Sequence, residues 1–176
     1  MLTISPAKPE ETPLLQSLIE KSVRGLSTTY YTEKQIESAL IHVFGIDSQL
    51  ITDQTYYVVR DGGQIAGCGG WSKRNTLFGG DQAKGTEDPL LDPQTDAARI
   101  RAFFVHPDWA RKGVGTALLG FCTDAAIAAG FHQLQLAATL PGIPFYSRLG
   151  FSLVENKEIV LADGETLPLA VMQKVI

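Results

Sequence analysis

The sequence predicts an α/β domain built on a mixed sheet. Three observations lead there: two amphipathic helical stripes near the N-terminus, a hairpin signal in the middle, and a strand–helix–strand alternation in the second half. At 176 residues the chain is sized for one domain, spanning 1–176. An apolar fraction of 44% supplies material for a core.

Leu2 to Ile4 suits a short first strand. Thr12-Pro13 is a cap and first-turn pair, and Leu14, Leu15, Leu18, Ile19 and Val23 form one stripe of a helix that Gly25 to Tyr31 should break. Thr32-Glu33-Lys34-Gln35 has the pattern of a capping box, with Ile36, Ala39, Leu40, Val43 and Phe44 following at helical spacing. Thr55 to Arg60 and Gln64 to Trp71 are strand-like and joined by the turn Asp61-Gly62-Gly63. From Ser72 to Ala97 the chain is polar and rich in Gly, Asp and Pro. That is too long for an ordinary connection and marks a functional excursion. Arg99 to Val105 is the next strand. Gly113 opens a helix carrying Val114, Ala117, Leu118, Phe121, Cys122 and Ala125 on one face, and Gly130 stops it. Leu134 to Ala138, Phe151 to Glu155 and Leu167 to Val175 complete the strands, with a short helix at Ile143 to Leu149.

A net charge of −4 and a pI near 5.3 point away from a nucleic-acid partner, which ordinarily needs a basic face. No apolar run approaches the ~20 residues that span a bilayer, and Met1 to Pro9 lacks the layout of a secretory signal. Cys68 and Cys122 are expected to be reduced, buried thiols of a cytoplasmic protein. His42, His106 and His132 lie far apart, so no metal site is expected.

The stretch that carries chemistry runs from Arg99 to Leu119. A strand enters a turn with two basic residues, Arg111 and Lys112, and two glycines, Gly113 and Gly115, where a helix begins. Glycines let backbone N–H groups approach a ligand closely. With the positive end of the helix dipole they make an anion site suited to a pyrophosphate. A dinucleotide-binding fingerprint does not fit, because its third glycine would fall at Gly120 and seven residues separate Val105 from Gly113. A P-loop does not fit either, since Gly80 to Thr86 lacks the lysine.

Ala110-Arg-Lys-Gly-Val-Gly115 resembles the [Q/R]-x-x-G-x-[G/A] segment of the GNAT superfamily of acetyltransferases, with Ala110 where the family favours Gln or Arg. Phe145-Tyr146-Ser-Arg-Leu-Gly150-Phe151 resembles its aromatic-Tyr-x-x-x-Gly-Phe element, with Thr139 in place of an upstream Asn. The resemblance implies a mostly antiparallel sheet splayed between the fourth and fifth strands. It implies acetyl-CoA as co-substrate, held by Phe104, Val105, Arg111, Lys112, Gly113, Val114, Gly115 and Thr116, and Tyr146 as proton donor to the departing thiolate. The pantetheine arm would pair with backbone near Phe104 and Val105 like an added strand edge.

Trp71, Tyr31 and Arg101 are candidates for the acceptor side; for Arg101 and its neighbour Arg99 the alternatives are a substrate carboxylate or a structural acid. Cys68 has no base nearby in sequence and is not expected to be a nucleophile. The base that accepts the amine's proton is open among Glu33, Glu37, Asp81 and Asp108. The expected activity is acetyl transfer to a small-molecule amine by a monomer or homodimer. A protein or peptide acceptor and a non-catalytic coenzyme A sensor are the alternatives.

Overall fold

The computed structural model describes residues 1–176. One seven-stranded sheet organises them: β1 (Leu2–Pro6), β2 (Tyr56–Asp61), β3 (Gln64–Ser72), β4 (Ala98–Val105), β5 (Gln133–Thr139), β6 (Ser152–Val160) and β7 (Thr166–Val175), in the order β1-β2-β3-β4-β5-β7-β6. All neighbours are antiparallel except β4 and β5, which run parallel.

That parallel seam is short. Only Ala98 with Leu134 and Arg99 with Gln135 pair across it, and the Arg99 guanidinium donates to Gln135 Oε1 at 2.8 Å. Beyond Arg99 the two strands diverge, leaving β4 backbone without a strand partner on that side.

Helices cover both faces. α4 (Val114–Ala128) and α5 (Ile143–Arg148) pack on one, in a core that includes Leu118, Cys122, Phe131, Leu136 and Tyr146. α1 (Thr12–Leu26), α2 (Glu33–His42) and α3 (Ser48–Thr52) pack on the other, around Leu15, Ile19, Ile36, Tyr56 and Leu167. β3 lets α4 lie close because Gly67 and Gly69 lack side chains. A Cβ on Gly67 would stand 2.8 Å from Val114 Cγ1, and one on Gly69 would stand 2.9 Å from Leu118 Cδ2 and collide with the Phe103 ring.

Several expectations need correction. α1 ends at Leu26, within the Gly25 to Tyr31 stretch expected to break it, with Gly25 itself still helical; a Cβ on Gly25 would lie 2.5 Å from Pro107 Cγ. The capping box of α2 forms with both of its bonds, Gln35 N to Thr32 Oγ1 at 3.1 Å and Thr32 N to Gln35 Oε1 at 2.9 Å. That helix ends at His42, before Val43 and Phe44. α3, five residues capped by Asp47, has too few turns to show a period in sequence. β6 runs on to Val160, well past Glu155.

β4 contains a bulge. Gly70 faces Arg101 and Cys68 faces Phe104, so β4 spends one more residue than β3 between these pairs. The extra residue is Ala102, with φ of +53°, and Tyr56 donates its hydroxyl to the Ala102 carbonyl at 3.0 Å.

Candidate active site

A cavity of about 680 Å³ opens where β4 and β5 part. Its lining comes from both cores: Phe103, Val114, Leu136 and Tyr146 on the α4 face, Val43, Phe44, Phe104 and Leu169 on the α2 face. The cavity therefore passes through the sheet at the gap between the strands.

At one part of the wall lies the glycine turn. Gly113 has φ of +84° and Arg111 has φ of +65°, both left-handed conformations. The first helical bond is Ala117 N to Gly113 O at 2.9 Å, so the amides of Gly113, Val114, Gly115 and Thr116 have no backbone acceptor. Four free donors at the positive end of a fifteen-residue helix form an anion cradle. The second glycine has a different reason from the first. A Cβ on Gly115 would meet Phe145 Cζ at 3.0 Å, so the two sequence motifs touch through this pair.

Tyr146 lies among Phe145, Phe151 and Phe103, with ring centroids 4.9, 5.5 and 6.5 Å away. Its hydroxyl makes no hydrogen bond within the protein, and burial raises its pKa well above the usual tyrosine value. It is thus a protonated donor with no internal acceptor.

Of the residues singled out from sequence, Phe104, Val105, Arg111, Gly113, Val114, Gly115, Thr116 and Tyr146 all line the cavity. Lys112 is exposed beside the turn but lines nothing. The three acceptor candidates are placed elsewhere. Trp71 pairs with Ile100 and packs edge-on against Phe131, ring centroids 6.0 Å apart, in the α4-side core. Tyr31 donates to Pro168 O at 2.7 Å and accepts from Leu140 N at 2.9 Å, fastening the end of β5 to β7; burial pushes its pKa up to about 12. Arg101, 2% exposed, donates to Asp47 Oδ2 at 3.1 Å and to the Gly79 and Thr76 carbonyls at 2.7 and 3.2 Å. It is tied to a structural acid, not offered to a ligand.

Asp47 also accepts from Lys84 Nζ at 3.1 Å and caps α3 through Gln49 N at 3.0 Å. This network fixes the 72–97 excursion, with Arg74 bidentate on Asp53 at 2.7 and 3.1 Å. Gly80 N then bonds Val43 O at 2.8 Å and Asp81 N bonds Ile46 O at 2.9 Å. Leu77 to Gly80 and Val43 to Gly45 consequently form one continuous stretch of wall. Helical spacing assigns Phe44 to α2, which stops at His42, and nothing in the spacing of Phe78 marks it as a lining residue.

None of the four acids considered as a base reaches the cavity. Glu37 is paired with Arg24, which holds its carboxyl below the usual range; Asp81 accepts from Ser48 N and Oγ at 3.0 and 3.1 Å; Glu33 and Asp108 face solvent. Cys68 is buried on the α2 side, 3.2 Å from the Tyr56 hydroxyl, and burial pushes its thiol up to about 12, which removes it as a nucleophile. No helix is long and apolar enough to cross a membrane.

Comparisons with known proteins agree with this fold. The fold is shared with a GCN5-related N-acetyltransferase from Rhodopseudomonas palustris, TM-score 0.73 at 20% identity, covering 99% of this chain and 95% of the other. The PaiA N-acetyltransferase from Thermoplasma acidophilum, solved in complex with coenzyme A, gives 0.65 at 13% identity over 100% and 99% of the two chains. The ribosomal-protein-S18-alanine N-acetyltransferase from Escherichia coli gives 0.61 at 18% identity over 100% and 94%. No curated protein matches the sequence. A model of the acetyltransferase (GNAT) family matches residues 20–151, a span that holds both the glycine turn and the Tyr146 segment. The chain belongs to the GNAT family of acetyltransferases, enzymes that use acetyl-CoA as co-substrate.

Proposed function

We propose that this enzyme transfers the acetyl group of acetyl-CoA to the primary amine of a small molecule, by direct attack within a ternary complex. The observation that carries the reading is that the free amides of residues 113–116 and the unpartnered Tyr146 hydroxyl line one cavity through the sheet.

In this reading the amides of Gly113 to Thr116 bind the pyrophosphate, and Arg111 adds charge at the rim. The unpaired edge of β4 at Phe104 and Val105 takes the pantetheine arm as a strand would be taken. A β4 amide near the thioester carbonyl stabilises the oxyanion that forms on attack. Tyr146 delivers a proton to the leaving sulfur, a role its raised pKa suits because the phenol stays protonated.

A small acceptor fits better than a polypeptide. Val43–Gly45 and Leu77–Gly80 are bonded to each other and form part of the wall on the α2 side, whereas a peptide needs an open groove.

Thiol release from acetyl-CoA in the presence of an amine panel tests the reading. Amine-dependent release that falls on Tyr146→Phe supports it. Release that needs no amine, or absence of coenzyme A binding by calorimetry, refutes it.

A further inference from the structure

The walls of the cavity carry an unusual charge pattern. Among all its lining residues there is no Asp, Glu, His or Lys; the ionisable groups are Tyr30, Tyr146, Arg111 and Arg148. Both arginines are exposed, Arg111 in the anion turn and Arg148 at the end of α5. On the α2 side the lining is apolar, dominated by Phe44, Leu77, Phe78 and Phe104, with Phe44 edge-on to Phe104 at a centroid separation of 6.0 Å. Its polar lining is neutral, from the hydroxyls of Ser22, Ser27, Tyr30 and Thr139.

The acids on the elements behind this wall are engaged or, like Glu33 and Glu87, turned to solvent. Asp47 is bound by Arg101 and Lys84, Asp81 by Ser48, Asp53 by Arg74, Asp88 by Lys84, and Glu37 by Arg24. The one buried cation on the α2 side, Arg101, is spent on Asp47 and the Gly79 carbonyl. No buried group there is free to balance either sign of charge.

From this we infer that the acceptor is a primary monoamine whose remaining body is uncharged and apolar, aromatic or branched aliphatic. The inference rests on the transferase reading above and names the substrate class of that same site. A diamine or polyamine would bring a second ammonium into an apolar wall with no counter-charge. An amino acid would bring a carboxylate to a wall whose only buried cation is occupied. Either charge loses its hydration with nothing to replace it. An aryl or branched alkyl group instead adds its faces to Phe44, Phe78 and Phe104.

The test compares benzylamine, phenethylamine and 3-methylbutylamine with spermidine, cadaverine, L-phenylalanine and a short peptide, each with acetyl-CoA and read by thiol release. The apolar monoamines should exceed every other class by at least ~100-fold in kcat/KM, the scale on which a site rejects a group it leaves unpaired. Phe78→Ala should raise KM for phenethylamine at least ~5-fold while leaving the calorimetric affinity for coenzyme A unchanged, the loss of one aromatic contact. Phe78→Asp, which adds the missing counter-charge, should raise the ratio of spermidine to phenethylamine turnover at least tenfold, a shift of ~1.4 kcal/mol. Coenzyme A binding together with preference for spermidine, L-phenylalanine or the peptide, or with no turnover of the apolar set, overturns this inference alone. Failure to bind coenzyme A overturns the transferase reading and this one with it.

Discussion

Replacing Tyr146 with Phe removes one oxygen and little else. The ring stays packed against Phe103, Phe145 and Phe151, and the lost hydroxyl has no partner inside the protein to leave stranded. Stability should therefore change by less than ~0.5 kcal/mol, or about 1–2 °C in Tm for a chain of this size. Catalysis should change far more. General acid catalysis contributes ~10²–10⁴-fold, and the low end applies because an alkyl thiol with a pKa near ~8.5 already leaves readily. The variant should lose about 10- to 100-fold in kcat, ~1.4–2.7 kcal/mol of barrier, with acetyl-CoA KM nearly unmoved. The assay is thiol release at saturating substrates, with solvent viscosity varied to confirm that chemistry limits the rate. A Phe variant with the parental kcat under those conditions refutes the assignment and makes Tyr146 a packing residue.

Other perturbations have equally definite outcomes. Gly113→Val forces a branched residue to φ of +84° and misaligns the free amides, so coenzyme A affinity should fall by at least ~30-fold, ~2 kcal/mol, in calorimetry of the folded variant. With no acid or imidazole in the wall, kcat/KM should rise with pH through the acceptor amine's own pKa; two amines of different basicity should give profiles displaced by their pKa difference, and a shared inflection would reveal a protein base. No descending limb from Tyr146 is expected up to pH ~10, because burial holds its pKa above the ordinary value. Asp47→Asn leaves Lys84 on Asp88 but takes from the buried Arg101 its only carboxylate, and should destabilise by about 3 kcal/mol in denaturant, raising acceptor KM more than acetyl-CoA KM through the loosened Leu77–Gly80 wall. Arg74 holds the Asp53 carboxyl below its ordinary 3.8, so the pair's stabilisation is complete above that pH and declines as pH falls towards the folded value. Asp53→Asn should flatten this acid limb in Tm against pH.

The sequence made periodic elements legible because their repeat is physical: α1, α2, α4 and the β2–β3 hairpin announce themselves by spacing and caps. The glycine turn is equally plain, since glycine favours the left-handed backbone Gly113 adopts and leaves room for the close ring that Gly115 meets. What lay hidden was parity. A strand read as strictly alternating puts Arg101 on the same face as Phe103 and Val105. The bulge at Ala102 carries no glycine to betray it, and it moves Arg101 to the face of Phe104, within reach of Asp47. Trp71, paired with Ile100, faces the α4-side core. The Phe44 and Phe78 wall comes from irregular segments that meet through long-range bonds to Gly80 and Gln82, a pairing no local pattern encodes.

The two-residue seam between β4 and β5 means the sheet is least cohesive along the line where the cavity opens. β1–β4 form one antiparallel block and β5–β7 another, and beyond Arg99 the gap between them has no ladder of its own. An occupant of that gap acts as mortar as well as substrate. A coenzyme bound there, as proposed, would lend cohesion across the seam and give it back at each product release.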